Sequence, residues 1–148
     1  MTLYCDSSAI VSIYLRERGR HGVVQPLVER EPAACIALGY VEIRATLVRA
    51  RFRDNPRRLS APGYDRALAD FEADWVNYSR LPVTDDLLIA AGELASSRLL
   101  RAYDAVHLAA AIRLRELVPD TVLISTWDGA LADAAVAEGF PLAHEVIA

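Results

Sequence analysis

Short β-favouring runs alternate with helical stretches along the whole chain, and no other feature restricts the fold more. Thr2–Cys5 is the first such run and ends at Asp6. Ala33–Leu38 is apolar without alternation, as a strand covered on both faces requires. Thr121–Ser125 is the strongest β segment and leads into Thr126-Trp127-Asp128. Leu81–Val83 reads as extended, and Pro141-Leu142 as a last short strand. Between these runs the spacing predicts a buried helix over Ala9–Leu15, with Ser7 and Ser8 as caps. A weaker helix over Gly19–Arg30 contains Pro26, and another follows Gly39 over Tyr40–Phe52. After the breaker Asp54-Asn55-Pro56 comes a long helix over Ala61–Tyr78. Helices over Leu87–Leu99 (capped by Thr84-Asp85-Asp86), Tyr103–Leu117 and Gly129–Glu138 complete the pattern. Strands separated by helices imply an α/β fold with a mostly parallel sheet and helices on both faces. The 148 residues suit one domain over 1–148, without repeats or linkers.

Composition narrows the class. The hydrophobic fraction of 53% argues against disorder. No apolar run reaches the roughly 18 residues of a spanning helix. Met1–Asp6 lacks a basic region followed by an apolar stretch, so a soluble, cytoplasmic protein with no membrane partner is expected. Cys5 and Cys35 lie in two of the strand runs and are read as buried, reduced thiols. A disulfide between them would need adjacent strands and an oxidising compartment. The absence of CxxC and of any Cys/His cluster argues against a zinc site. Net charge is −4, which opposes nucleic-acid binding, but all 16 basic residues are Arg, the residue that grips phosphate in bidentate fashion.

In an open parallel sheet, ligands bind beyond the carboxyl ends of the strands. Asp6 and Asp128 stand at such ends, each directly before a helix. Glu42 and Asp104 lie in the first turns of two further helices. Each acid alone is explained by helix capping or by the helix dipole. As a set they share one kind of position, which a doubly wound sheet brings to one edge. Carboxylates packed there repel one another unless a cation neutralises them. Mg2+ or Mn2+ suits such hard oxygen donors, and ions held in this way activate water and stabilise the leaving oxygen in phosphodiester cleavage. Ser7, Ser8 and Thr126 can hydrogen-bond a carboxylate or a phosphate.

Glu42, Thr46, Arg49 and Arg53 share one helical face, while Ile43, Leu47 and Ala50 share another. Arg49 and Arg53 are therefore candidates to continue the acidic site and grip phosphates, against the plainer reading of a solvated face. Arg51, Arg57 and Arg58 add to this basic patch. His107 follows Asp104 by three residues and could face the same groove, but it reads better as a packed or hydrogen-bonded helix histidine. The stripe Tyr64, Leu68, Phe71, Trp75 and Tyr78 reads as core or subunit contact. Trp127 reads as wall packing, with base stacking as its alternative.

The residues around these acids resemble the motifs of PIN domains of the VapC toxin type. Asp6-Ser7-Ser8-Ala9-Ile10 after an apolar strand is similar to the family's opening motif, and Glu42-Ile43-Arg44-Ala45-Thr46-Leu47 to its second acidic helix. Tyr103-Asp104-Ala105-Val106-His107-Leu108-Ala109 resembles the third motif, and Ser125-Thr126-Trp127-Asp128 the fourth. Gly139-Phe140-Pro141-Leu142 is similar to the closing strand. The resemblance implies a PIN fold and an Mg2+- or Mn2+-dependent endoribonuclease with Asp6, Glu42, Asp104 and Asp128 as its acids. It also implies RNA as substrate, a homodimer, and inhibition by a small DNA-binding antitoxin whose arginine enters the acidic groove. The alternative is a non-catalytic PIN-like module that binds RNA or antitoxin. An aspartyl phosphatase would want a second Asp at position 8, which is Ser; a receiver domain would want a Lys, and the chain has none. A dinucleotide site would want GxGxxG after the first strand.

Overall fold

The computed structural model describes residues 1–146. Four strands alternate with helices: β1 (Thr2–Cys5), α1 (Ser7–Tyr14), α2 (His21–Arg30), β2 (Ala33–Ile36), α3 (Gly39–Phe52), α4 (Ala61–Trp75) and β3 (Ser79–Leu81). Then follow α5 (Asp85–Arg98), α6 (Ala102–Leu117), β4 (Val122–Ser125), α7 (Gly129–Ala137) and α8 (Ala143–Val146). The sheet is parallel throughout, in the order β3-β2-β1-β4. Leu3 pairs with Ala33 on one side and with Leu123 on the other. Every residue of β1 and β4 is buried. Side chains alternate between faces along a strand, so both faces of the sheet are covered. α1 packs with α2, α3 and α4, whereas α6 packs with α5 and α7 and lies against β2 and β4. Among the described residues no helix is long and apolar enough to cross a membrane.

This strand order has one functional consequence. From β1 the chain moves outward through β2 and β3, then returns to β4 on the other side of β1. The carboxyl ends of β1 and β4 thereby become neighbours at the topological switch point. The Asp6 N–H donates to Ser125 O at 3.1 Å, closing that edge.

Several boundaries differ from the sequence expectation, for local reasons. α1 begins at Ser7 because Asp6, rather than either serine, is the N-cap and accepts from Ala9 N–H. α4 stops at Trp75, where i to i+3 bonds from Asn77 and Tyr78 tighten the chain out of the helix. The expected strand at Pro141-Leu142 is a single bridge between Ile124 and Leu142. Pro141 has no N–H to extend a ladder, though its carbonyl accepts from Ile124, and the chain then turns into the unforeseen α8. The stripe on α4 and the turn after it is core: Phe71, Trp75 and Tyr78 are buried, and Tyr64 and Leu68 pack against the same cluster. Cys5 and Cys35 are buried free thiols, as expected, and burial pushes both thiols well above the ordinary range. That leaves them inert as nucleophiles.

Gly39 opens α3 under unusual constraint. A Cβ there would stand 2.5 Å from the buried Cys35 Sγ, with Trp75 at 3.8 Å and Ser7 Oγ at 3.9 Å. Gly39→Ala is expected to cost about 1–3 kcal/mol through overpacking. Combining it with Cys35→Ala should recover most of that loss, a coupling that chemical denaturation of the four proteins measures directly. Additive losses would show that the clash is relieved elsewhere.

Candidate active site

The switch point carries a cleft of about 260 Å³ whose walls include Asp6, Glu42, Asp104 and Asp128. The four sequence-singled acids therefore share one cavity, though they arrive from four helix starts. Asp6 follows β1 and caps α1; Glu42 and Asp104 sit in the first turns of α3 and α6; Asp128 caps α7 by accepting from Leu131 N–H at 2.9 Å. Helix starts are where unpaired N–H groups and the dipole favour negative charge, which lowers the cost of gathering four acids.

Asp6 is the most deeply held. Its Oδ1 accepts from Ser8 Oγ at 2.7 Å and from Ala9 N–H at 2.9 Å. Its Oδ2 accepts from Thr126 Oγ1 at 2.5 Å, tying β1 to the end of β4. Thr126 in turn accepts from Asp128 N–H. Burial pushes the Asp6 carboxyl above the ordinary range, and the charge of His107 and the three hydrogen bonds hold back only part of that rise. Thr126 and Ser7 thus contact the acids, as their positions suggested. Ser7 Oγ donates to Glu42 Oε1 at 2.9 Å.

His107 completes the second cluster. Its Nε2 lies 2.8 Å from Glu42 Oε1, and its Nδ1 lies 2.8 Å from the Tyr4 hydroxyl. Tyr4 itself accepts from Ile36 N–H, and its hydroxyl can donate to a neutral Nδ1 or accept from a protonated one. In either case Nε2 carries a proton that faces Glu42. Burial alone would depress the His107 pKa. The Glu42 hydrogen bond and the charges of Asp6, Glu42 and Asp104 outweigh it, and the value stands above the ordinary histidine range. The hydrogen-bonded reading of His107 is therefore met, with an acidic-site residue as its partner.

Arg101 was not singled out from the sequence, although its spacing of three from Asp104 was a usable signal. Its Nε donates to Asp104 Oδ2 at 3.1 Å, and one terminal nitrogen donates to Asp128 Oδ2 at 3.0 Å. One guanidinium thus bridges two carboxylates with one charge-assisted hydrogen bond to each. The side chain is 78% exposed, so little but these contacts retains it.

Arg49 and Arg53 fall elsewhere. Arg49 is exposed, donates to Thr46 Oγ1 and does not line the acidic cleft; Thr46 does. Arg53 lies one residue past the end of α3 in extended backbone, so it leaves the face it was assigned by periodicity. It bonds to Arg57 O and lines a neighbouring groove instead. Trp127 packs partly buried, stacked on His144 with ring centroids 5.5 Å apart.

Among the described residues, no three His, Cys, Asp or Glu side chains are grouped closely enough to hold an ion as they stand. Asp6, Glu42, Asp104 and Asp128 thus share a cleft without forming a coordination shell. As the side chains stand, Arg101 takes an oxygen from each of Asp104 and Asp128, and His107 and Ser7 share one of Glu42. The donor set still fits a hard divalent ion, being four carboxylates with hydroxyls and no thiol. The exposed Arg101 side chain can swing aside to free two of those carboxylates.

A family model described as PIN domain matches residues 3–137 of the chain. Among curated proteins the chain is similar to Ribonuclease VapC45 of Mycobacterium tuberculosis strain CDC 1551 / Oshkosh and to Ribonuclease VapC49 of strain ATCC 25618 / H37Rv. Each is 32% identical over 141 residues, an alignment covering 93% of this chain and 91% of the relative.

Proposed function

Because the chain belongs to the PIN-domain family, we propose that it is an endoribonuclease dependent on Mg2+ or Mn2+, the toxin of a toxin–antitoxin pair. The observation that carries this reading is the cleft shared by Asp6, Glu42, Asp104 and Asp128 at the switch point of the sheet. Asp6 and Asp104 are the first candidates to hold the ion, with Glu42 and Asp128 completing the set. An ion held there supplies an activated water and offsets the charge that builds on the phosphate.

The remaining roles belong to the side chains. Thr126 and Ser8 fix the orientation of the Asp6 carboxylate, and His107 with Ser7 fixes that of Glu42. Such partners set the direction and basicity of an acid that meets metal. Ser7 lines the cleft and can offer its hydroxyl to a phosphate oxygen, whereas Thr126 is buried outside the cleft lining with its hydroxyl held by Asp6. Arg101 holds the acids as a counterion until an ion or a phosphate competes for it.

The same pairing supports the antitoxin as partner. Asp104 and Asp128 already accept one guanidinium, so an arginine from a small inhibitory protein can occupy the place of Arg101. The exposed Leu88, Ile89 and Leu99 offer apolar surface for a homodimer. This reading places its action in the cytoplasm.

The test is cleavage of single-stranded RNA by the purified protein in Mg2+, in Mn2+ and in EDTA. Cleavage with either ion and none in EDTA is expected, together with a melting temperature that rises with Mn2+. Undiminished cleavage in EDTA would overturn metal dependence. No cleavage with either ion, despite a Mn2+-dependent rise in melting temperature, would favour the binding-only module. Arg101→Ala is expected to tighten Mn2+ binding several-fold by calorimetry, because the competing cation is gone. Unchanged or weaker binding would mean that Arg101 and the ion occupy different places.

A further inference from the structure

Beside the acidic cleft lies a larger groove of about 690 Å³ with the opposite charge. Its lining includes five arginines, Arg16, Arg18, Arg20, Arg53 and Arg57, and a single acid, Glu17. The α1–α2 turn supplies three of the arginines, and the connection after α3 supplies the other two. Glu17 is already paired with Arg20 at 2.9 Å. Among the described residues Arg16, Arg18, Arg53 and Arg57 make no ion pair, so four guanidinium charges face the groove uncompensated. In a chain with net charge −4 this is a marked local excess.

Two further observations give the groove a direction and a purpose. Glu17 and Arg20 line both the groove and the acidic cleft, so the two cavities adjoin. Arg16 has φ 50°, a left-handed backbone that favours glycine. A bulky side chain kept at a strained position is a reason to ask what that side chain does.

We infer that this groove binds the sugar-phosphate backbone of the RNA strand next to the bond positioned in the acidic cleft. The inference rests on the endoribonuclease reading. A strand passing over four carboxylates needs cations beside them to remain bound, and the groove supplies these where the cleft cannot. A sugar-phosphate backbone fits because arginines answer its repeated phosphate charges without reading sequence, and among the described residues no aromatic side chain lines the groove for base stacking. Arg49, singled out by periodicity, is not part of this surface.

The test uses the triple variant Arg16→Gln, Arg18→Gln, Arg57→Gln, and a charge-preserving variant with Lys at the same positions. All three side chains are exposed, and none lines the acidic cleft. Binding of a fluorophore-labelled single-stranded RNA is followed by anisotropy in EDTA across a salt series. Each lost phosphate contact should flatten the log–log salt dependence by about 0.7, so the Gln variant should lose about 2 from its slope while the Lys variant keeps most of it. In Mn2+ the Gln variant should show a raised KM at near-normal kcat. Cleavage by the wild type with an unchanged salt slope in the Gln variant overturns the groove alone. A flattened slope without cleavage by the wild type overturns the nuclease reading and leaves the groove standing. A wild type that binds RNA without salt dependence overturns the groove, as would tight binding of an acidic protein segment with RNA affinity unaltered by the substitutions.

Discussion

Asp6→Asn is expected to lower RNA cleavage about a thousandfold, the counterpart of about 4 kcal/mol of transition-state stabilisation. The variant should melt at or above the wild-type temperature. Both expectations follow from one feature. Asp6 is a buried charge, and burial alone pushes its carboxyl toward protonation. Asparagine has the same shape and removes that cost. Ser8 Oγ–H and Ala9 N–H can still donate to its carbonyl oxygen, preserving the α1 cap. Thr126 can turn its hydroxyl to accept from the new amide. What asparagine cannot supply is a negative oxygen for a divalent ion. Cleavage assays and thermal unfolding, run on the same preparation, check the two halves. A variant that melts normally and cleaves at the wild-type rate removes Asp6 from the site. One that cleaves poorly because it melts early would show that the carboxylate is mainly a structural cap.

The sequence held the sheet and the four acids because each obeys a local rule. Strands covered on both faces must be apolar, so Ala33–Ile36 and Val122–Ser125 stand out without any tertiary knowledge. Acids at helix starts are favoured by the unpaired N–H groups there, so Asp6, Glu42, Asp104 and Asp128 fall at recognisable positions. The partners of those acids obey no local rule. His107 reaches Glu42 across 65 positions and Arg101 reaches Asp128 across 27. Only the order β3-β2-β1-β4 brings them together. Arg53 shows the opposite failure. Its spacing from Arg49 continues a helical face, but α3 ends one residue earlier and the side chain turns into the basic groove. Periodicity assigns a face only while the helix lasts.

Arg53 and Arg57 belong to the basic patch legible in the sequence, but the rest of the groove is not, for a related reason. Arg16, Arg18 and Arg20 lie in a turn, where no periodicity assigns direction, and their counterparts Arg53 and Arg57 lie more than 30 positions later. Summed charge concealed the groove as well, since a net −4 averages an arginine-rich surface with an acid-rich one. The adjacency of these two surfaces has a physical benefit. Exposed arginines attract a polyanion over a longer range than a recessed cleft does, so on the proposed function the groove would capture an RNA strand before the cleft engages it.

Phe71→Ala is expected to destabilise the protein by about 3–5 kcal/mol, the range for deleting a buried aromatic side chain. Phe71 is fully buried and central to an aromatic cluster. Its ring centroid lies 5.6 Å from Tyr14, 5.8 Å from Tyr40 and 5.6 Å from Trp75. Those neighbours come from α1, α3 and α4, so one ring joins the helix that carries Ser7 to the helix that carries Glu42. Domains of this size have about 5–15 kcal/mol of stability in total, and the variant should remain folded at low temperature with a much lower denaturation midpoint. Loss of the ring should also loosen α1 against α3 and with it the Ser7–Glu42 contact at 2.9 Å. Mn2+ binding below the melting transition is then expected to weaken, whereas Phe71→Leu, which leaves a smaller void, should lose less of both. Urea denaturation followed by tryptophan fluorescence, with Mn2+ titration at low temperature, measures the two effects separately. A loss below about 1 kcal/mol would show that α4 is dispensable to the core. A large loss with unaltered Mn2+ affinity would show instead that β1 and β4 alone, through Asp6 and Thr126, set the geometry of the cleft.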